Sequence, residues 1–223
     1  MQPKFRFPNW SAIGGATYRI NEHWQYSSNL AIASRPPHVI ELLSEGLHHG
    51  SATIEIGDSA LVPESSLNWS NTLSLNYSPK FKAELTTYLN PINNYIFLTP
   101  RPIPQLTIRG AFPVYRYTQS DALLVGTDLS AFVQLGEKLN YQLAGTYLRG
   151  YNLSQRQALI LMPPPKLQHD LTWKPGWDKN VFFQLSHQAV ARQNHYPIGQ
   201  DLAPPPAGYH LLHLAAGSLP IYY

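Results

Sequence analysis

The chain has 223 residues, no cysteine and a formal net charge of only +3 at pH 7. These values allow one sizeable domain, exclude a disulfide framework, a thiol nucleophile and a Cys-ligated metal, and do not favour a nucleic-acid partner. Charged residues make up 13% of the chain, about half the usual share for a soluble domain, and no apolar run approaches the ~18 residues of a membrane-spanning helix.

Apolar and polar residues alternate along most of the chain. At residues 67–77, Leu73 and Leu75 share one face, whereas Asn68 and Thr72 share the other. Alternation of this length indicates a strand with one apolar and one wet face, and no segment has a convincing helical period. The pattern predicts about nine strands, at roughly residues 11–20, 23–34, 66–78, 81–96, 115–135, 139–150, 164–175, 180–192 and 208–217.

The connections between these strands alternate between short and long. Residues 21–23, 78–80, 136–138 and 175–179 form tight turns, whereas residues 35–65, 98–114, 151–164 and 193–207 form long loops rich in Pro, Gly and polar residues. Outer-membrane barrels have short periplasmic turns and longer extracellular loops. The sequence therefore predicts an all-β fold, an antiparallel transmembrane β-barrel with an up-and-down meander. A soluble β-sandwich, which also alternates, stays open.

Two side-chain sets follow from this barrel prediction. The apolar set is expected to face lipid and the polar set the lumen. The lipid-facing set is Leu73, Leu75, Val125, Leu129 and Leu171, and the inward set is Asn68, Thr72, Ser74, Asp128 and Asp170. Aromatic residues beside the short turns are expected to form an interfacial girdle, and they are Trp24, Tyr77, Phe81, Tyr141, Trp173 and Trp177.

Four motifs occur in a fixed order along the chain. The first is R-P-P-H-V-I-E-L at residues 35–42, which G-D-S-A-L-V-P-E-S-S follows at residues 57–66. The others are Y-L-N-P-I-N-N-Y-I at residues 88–96, V-Y-R-Y-T-Q-S-D-A-L-L-V-G at residues 114–126 and M-P-P at residues 162–164. In order and spacing they resemble the barrel region of TonB-dependent outer-membrane receptors, although Pro91 is unusual there.

This resemblance implies a receptor or transporter piece in the Gram-negative outer membrane, not an enzyme. It implies TonB-energised uptake of a scarce nutrient such as a ferric siderophore, haem, cobalamin or a metal ion. The expected partners are the outer-membrane lipid bilayer and that nutrient, with the inner-membrane energising complex expected only for a full-length receptor. No cofactor is expected. A small self-contained outer-membrane pore or adhesin is the alternative.

The resemblance covers only part of the family's length. Residues 1–223 are expected to form one partial barrel domain, because the plug domain and TonB box of full-length members do not appear in this sequence. The final strands of the family's barrel do not appear either, and about nine strands fall short of the roughly 22 in such transporters. The chain is therefore expected to be a truncated or split receptor.

Chemistry-bearing residues are few. No G-x-S-x-G elbow, P-loop or G-x-G-x-x-G occurs, so no catalytic or cofactor-binding residue is predicted. Glu45, His48 and His49 lie in the first long loop and are candidate ligand-binding residues, able to hold a metal complex or simply solvated. Arg35 is expected to be structural and to reach water or headgroups. His210 and His213 have an odd spacing on a strand and are expected to face opposite sides.

Overall fold

The computed structural model describes residues 4–177, 181–197 and 204–218. Strands dominate these residues, because the alternating sequence offers each strand two different faces. The elements are β1 Ser11–Arg19, β2 Trp24–Arg35, α1 Val39–Leu43, β3 Glu45–His48, β4 Thr53–Ile56, β5 Glu64–Ser78, β6 Phe81–Pro100, β7 Gln105–Thr107, β8 Gly110–Phe112, β9 Val114–Leu135, β10 Leu139–Asn152, β11 Gln157–Ala158, β12 Lys166–Trp173, β13 Val181–Val190 and β14 Tyr209–Ser218.

One antiparallel meander carries the architecture, in the order β1-β2-β5-β6-β9-β10-β12-β13-β14. Its nine strands match the nine predicted ones within a few residues at each end, so the antiparallel fold prediction is confirmed. Within the described part of the chain, β1 and β14 each pair on one side only, and the sheet is open. Apart from the small β7–β8 hairpin, a second sheet that would make a sandwich is absent from these same residues.

The two ends of the sheet differ as the loop lengths predict. The long connections at residues 36–63, 101–113 and 153–165, together with residues 191–197 and 204–208, lie at one end, here called the loop end. The connections at residues 20–23, 79–80 and 136–138 lie at the opposite turn end, because each strand reverses the direction of the one before it. Residues 35–65 and 98–114 therefore share one end, as predicted.

The first long loop contains structure that alternation does not reveal. It holds the five-residue helix α1, which starts after His38, whose backbone N–H donates to Glu41 Oε2 at 2.6 Å. A single helical turn is too short to display a helical period, so the sequence pattern missed it. Among the described residues, no helix has the length and apolarity to cross a membrane.

The strand register sorts side chains into an apolar and a polar face. Leu73 lies opposite both Tyr26 and Leu85, and Leu85 lies opposite Leu129. One residue along, Thr72 lies opposite Ser27 and Thr86, and Thr86 lies opposite Asp128. Directly opposed residues of antiparallel strands point to the same side, so the predicted division into two faces is confirmed.

Pro91 sits in the middle of β6, where a proline removes a ladder donor. The β5–β6 ladder runs through Trp69 opposite Leu89 and resumes with Ser66 opposite Ile92, and it skips Pro91 between them. A register shift follows between Ile92 and Tyr95, where Asn94 adopts a φ of 56°. Asn tolerates this left-handed conformation better than most residues, so the motif at residues 88–96 encodes a register shift within the continuous strand β6 near the loop end.

Close packing is concentrated at the loop end. Leu42, Leu61 and Ile96 form a buried cluster against which Phe7 and Tyr117 pack. By contrast, large apolar side chains on the sheet remain open, with Trp69 46% and Leu214 84% exposed. A contiguous apolar surface of this kind marks a protein that meets another apolar phase.

Candidate functional site at the loop end of the sheet

The β6–β9 hairpin is the longest feature of the sheet and supports the loop end. β6 has 20 residues and β9 has 22, roughly 65–75 Å at about 3.3–3.4 Å per residue, whereas about 9–11 residues suffice for a membrane-spanning strand. The paired segment from Tyr95 opposite Ser120 to Pro100 opposite Tyr115 continues beyond the end of β5. It therefore provides a platform on which the first loop folds.

Residues 36–63 fold back onto this platform. β3 and β4 form a small hairpin, and β4 pairs in parallel with the start of β9, with Ile54 opposite Val114 and Ile56 opposite Arg116. Ile54 N–H also donates to the Pro113 carbonyl at 2.8 Å. The main chain of the loop is thus hydrogen-bonded to the sheet, so the loop is held in one position at this end.

Arg35 ties the two ends of this loop together. Its Nε donates to Glu64 Oε2 at 2.7 Å, and its Nη1 lies 3.1 Å from both oxygens of Glu41. Glu64 Oε1 accepts the Ile96 N–H at 2.6 Å. The hydrogen bond to Glu64 raises the pKa of Arg35, so the guanidinium keeps its charge. We name Arg35, Glu41 and Glu64 the Arg35 junction.

The junction supports the structural role expected for Arg35. The side chain is 45% exposed and reaches water as expected, and its guanidinium also makes ion pairs within the chain, which the sequence did not predict. The signal was present in the sequence, since Glu41 belongs to the R-P-P motif and Glu64 to the P-E-S-S motif. Pairing across 29 residues could not be read from alternation, because the intervening loop determines which carboxylate returns to Arg35.

A second row of contacts fastens the loop to β9. Arg116 Nη2 lies 3.1 Å from Asp58 Oδ2, and Tyr117 donates its hydroxyl to Glu55 Oε2 at 3.0 Å. Burial, with the Glu55 hydrogen bond second, raises the pKa of Tyr117 to about 12. The Gln119 amide accepts from Val62 N–H at 2.9 Å and donates to the Val62 carbonyl at 2.7 Å. Arg116, Tyr117 and Gln119 of β9 thus hold the loop.

The predicted ligand-binding residues are exposed and lie in the β3–β4 hairpin and its turn, residues 45–56, here called the tip of the loop. Glu45 begins β3 opposite Ile56, and His48 ends β3, with its Nδ1 2.9 Å from Ser51 Oγ. His49 follows in the turn and is also exposed. Three residues apart on a strand, Glu45 and His48 face opposite sides. The described residues contain no group of three or more His, Cys, Asp or Glu side chains arranged to hold a metal ion.

The polar face carries a depression of about 570 Å³ nearer the turn end. Its charged members are Lys82, Glu84 and Asp170. Ser74 donates its hydroxyl to Glu84 at 3.1 Å, and Gln168 donates to Asp170 at 3.0 Å. Side chains of both charges with hydroxyl and amide neighbours make a hydrated surface, suited to polar partners.

Several polar side chains on the apolar face hydrogen-bond to one another. Tyr26 donates its hydroxyl to Asn71 Oδ1 at 2.5 Å, and Trp69 Nε1 donates to Ser28 Oγ at 3.0 Å. Tyr141 and His169 form a 2.6 Å hydrogen bond. Pairing within the face lowers the cost of placing polar groups in an apolar phase. The apolar face is therefore compatible with hydrocarbon despite its interruptions.

The sequence of residues 2–222 matches the family described as TonB dependent receptor-like, beta-barrel. The chain belongs to this family. Its members are receptors and transporters of the Gram-negative outer membrane, so this receptor barrel is an outer-membrane protein and not an enzyme. No curated protein matches it by sequence.

Solved structures show the same fold. The copper transporter OprC superposes with a TM-score of 0.74 at 23% identity, over 92% of this chain and 30% of OprC. The ferric enterobactin receptor PfeA from Pseudomonas aeruginosa gives 0.68 at 17% identity, over 93% and 32%. The siderophore receptor PirA from Pseudomonas aeruginosa gives 0.66 at 18%, over 95% and 36%. The chain thus spans about a third of the length of these proteins.

Membership in the family identifies the environment of each face and of each end of the sheet. The apolar face, with Leu73 and Leu129, is the lipid-facing side, and the polar face, with Thr72 and Asp128, lines the lumen. The turn end is periplasmic and the loop end extracellular. The receptor barrel therefore presents the fixed loop and its exposed tip to the medium outside the cell.

Proposed function

We propose that this chain is part of a receptor that takes up a scarce nutrient across the outer membrane. The candidates are a ferric siderophore, haem, cobalamin and a metal ion. The proposal also assigns residues 1–223 to a single barrel domain. It includes coupling of the complete receptor to the inner-membrane energising complex through TonB, as the family name indicates.

The observation that carries this proposal is the anchored first loop. The Arg35 junction holds its two ends, and Tyr117 holds its β4 strand through Glu55. A loop that is already ordered loses little conformational entropy when a ligand binds. It can therefore present its tip, with Glu45, His48 and His49, as a preformed contact surface above the lumen.

The chemistry of that tip suits a metal-bearing or polar nutrient. Imidazole nitrogens coordinate zinc and copper, and carboxylate oxygens accept hydrogen bonds from polar ligands. His48 and Glu45 face opposite sides of β3, so they would contact a ligand through separate surfaces of the tip. We therefore propose recognition of a large nutrient complex by this tip together with other loops, rather than chelation of a bare ion.

Uptake in the native bacterium tests the function. Deletion of the coding region should lower accumulation of one nutrient from a panel of radiolabelled ferric siderophores, haem, cobalamin and copper ion, and the intact locus should restore it. An uncoupler should abolish the difference. Unchanged accumulation of every nutrient would overturn the proposal, and uptake that the uncoupler leaves intact would favour a passive pore.

A matched pair of variants tests the loop tip. Joint replacement of Glu45, His48 and His49 by Ala should raise the concentration for half-maximal uptake about tenfold, the effect of losing about 1.4 kcal/mol of binding. Replacement of Glu22 and His23 by Ala removes the same residue types at the turn end and should leave uptake unchanged. Equal effects of the two variants would exclude the tip as the contact surface.

A further inference from the structure

An apolar groove crosses the lipid-facing side of the sheet in its loop-end half. It has a volume of about 520 Å³. Its floor follows a row of opposed residues on four neighbouring strands, in the order Leu129, Gly145, Leu167 and Ala189, with His210 at the end. The groove thus belongs to the surface that contacts the membrane and not to the lumen.

Two small residues create the groove. Gly145 has no side chain, and a Cβ built there would lie 3.2 Å from Leu167 Cδ1. Ala189 adds only a methyl group on the other side of Leu167. A depression between leucine side chains on a lipid-facing wall is filled by hydrocarbon when the protein is in a bilayer, because water has no hydrogen-bonding partners there.

Arg149 lies beyond the groove towards the loop end. Arg149 lies on the same face of β10, four residues beyond Gly145 towards the loop end, a distance of about 13 Å along the strand. Its guanidinium carbon lies 5.3 Å from the centre of the Tyr147 ring. None of the carboxylates among the described residues forms a salt bridge with it.

The depth of Arg149 can be worked out from the strand. It lies eight residues from Tyr141 of the turn-end girdle, which is roughly 27 Å along a strand and roughly 20 Å of membrane depth at a tilt of about 40°. The apolar band of such barrels is about 25 Å tall. Arg149 therefore lies in the outer part of this band, within about 5 Å of the headgroup layer, and the groove lies at the depth of the acyl chains.

We propose that the groove and Arg149 together form a binding site for one anionic membrane lipid. An acyl chain occupies the groove at Gly145, and the phosphate of the headgroup binds the guanidinium of Arg149. A planar guanidinium suits a phosphate because it donates two parallel hydrogen bonds. Tyr147 holds this guanidinium in place through its ring face. Within the described residues Arg149 has hydroxyl partners in Tyr151 and Tyr147 but no salt bridge to a carboxylate, and the lipid phosphate supplies the missing negative charge.

Native mass spectrometry of the purified full chain in detergent tests the site. The probes are phosphatidylglycerol and phosphatidylcholine with identical acyl chains, each added at the same concentration. The wild-type chain should retain phosphatidylglycerol about fivefold more strongly, the factor that one cationic side chain contributes at an anionic membrane surface. Equal retention of the two lipids would overturn the proposal, because the contacts would then be those of ordinary surrounding lipid.

Two variants separate the headgroup contact from the groove. Arg149→Gln should abolish the preference and leave acyl-chain binding, whereas Gly145→Leu should reduce retention of both lipids at least fivefold. Ala189→Leu fills the same groove and replaces Gly145→Leu if circular dichroism shows that variant to be unfolded. A preference that survives Arg149→Gln, or retention that survives filling of the groove, would contradict the site.

Matched controls exist elsewhere on the chain. Gly14→Leu adds the same side chain on the same lipid-facing side, at a glycine with no atom within 4 Å of its Cβ position. Arg109→Gln removes an exposed cation in the β7–β8 turn. Both should bind lipid as the wild type does, and a loss in either would show that the assay reports general charge or apolarity and overturn the assignment.

Discussion

Replacement of Arg35 by Met tests whether the Arg35 junction holds the loop end together. Met keeps the apolar stem but removes the charge, and it leaves two carboxylates whose side chains are only 15% and 10% exposed, those of Glu41 and Glu64. Removing one partner costs about 3–5 kcal/mol for a buried pair and about 0–1 kcal/mol for an exposed one. Because the Arg35 side chain is itself 45% exposed, water screens part of the loss, and we expect about 2–3 kcal/mol.

Urea unfolding in detergent micelles, followed by tryptophan fluorescence, measures this cost. Arg109→Met is the control, because it removes an exposed arginine from the β7–β8 turn at the same end of the sheet. Adding Glu41→Gln to the Arg35→Met chain should recover about 1 kcal/mol, since it removes one of the two unpaired carboxylates. Equal stabilities of the Arg35 and Arg109 variants would refute the role of the junction.

Three further predictions concern the faces of the sheet and the β9 contacts. Arg at Leu73 should cost about 2–4 kcal/mol of unfolding free energy in lipid, and Arg at Thr72 much less, because only Leu73 faces the bilayer; equal costs would contradict the assignment of faces. Tyr26→Phe should cost about 0.6–1.7 kcal/mol by leaving Asn71 Oδ1 unpaired, and adding Asn71→Leu should reverse the loss; no reversal in the same unfolding assay would count against this pair. The pKa of Tyr117 is about 12 in the folded chain and about 10 in the unfolded chain. The stabilisation that comes from this difference is therefore fully present below pH ~10 and disappears as the pH rises through ~12. Tyr117→Phe should lose this pH dependence of the unfolding free energy across that range.

Much of the sheet could be predicted from the sequence, because a membrane barrel gives each strand two contrasting surroundings. At residues 67–77 the alternation of Leu73 and Thr72 reports lipid on one side and water on the other. The same contrast sets the register, since a slip by one residue would place Thr72 in lipid and Leu73 in the lumen. The strand bounds therefore followed from a local pattern without any knowledge of neighbouring strands.

The loop end could not be predicted in the same way, because its structure depends on contacts between distant residues. Glu64 returns to Arg35 only after the intervening loop has folded, and Tyr117 reaches Glu55 across 62 positions. The helix α1 has five residues, and its start depends on the His38 and Glu41 contact rather than on periodicity. The candidate tip residues could be identified from the sequence by their residue types. The side chains that anchor the loop, such as Arg35 and Tyr117, could not.

Polar residues on the lipid-facing side show the same limit at a smaller scale. Asn71 interrupts the apolar alternation of β5, and the sequence alone gives no reason to accept it there. The register places Asn71 opposite Ser28, two residues along β2 from Tyr26. The side chains of Asn71 and Tyr26, 45 positions apart in the sequence, are hydrogen-bonded to each other. Placing a hydrogen-bonded pair in hydrocarbon costs far less free energy than placing either polar group there unpaired. A polar residue in one strand therefore becomes compatible with the membrane through a partner on the neighbouring strand.

The receptor barrel therefore depends on one source of stability at the loop end and on another in the sheet below it. At the loop end, Leu42, Leu61 and Ile96 exclude water in a core of their own, and the Arg35 junction closes it. Below it, side chains such as Leu214 are 84% exposed, so the sheet gains little from burial within the chain and requires lipid on that face. Because the loop core rests on β6 and β9, which continue without interruption into the membrane, the extracellular surface keeps its shape only while the bilayer holds those two strands in place.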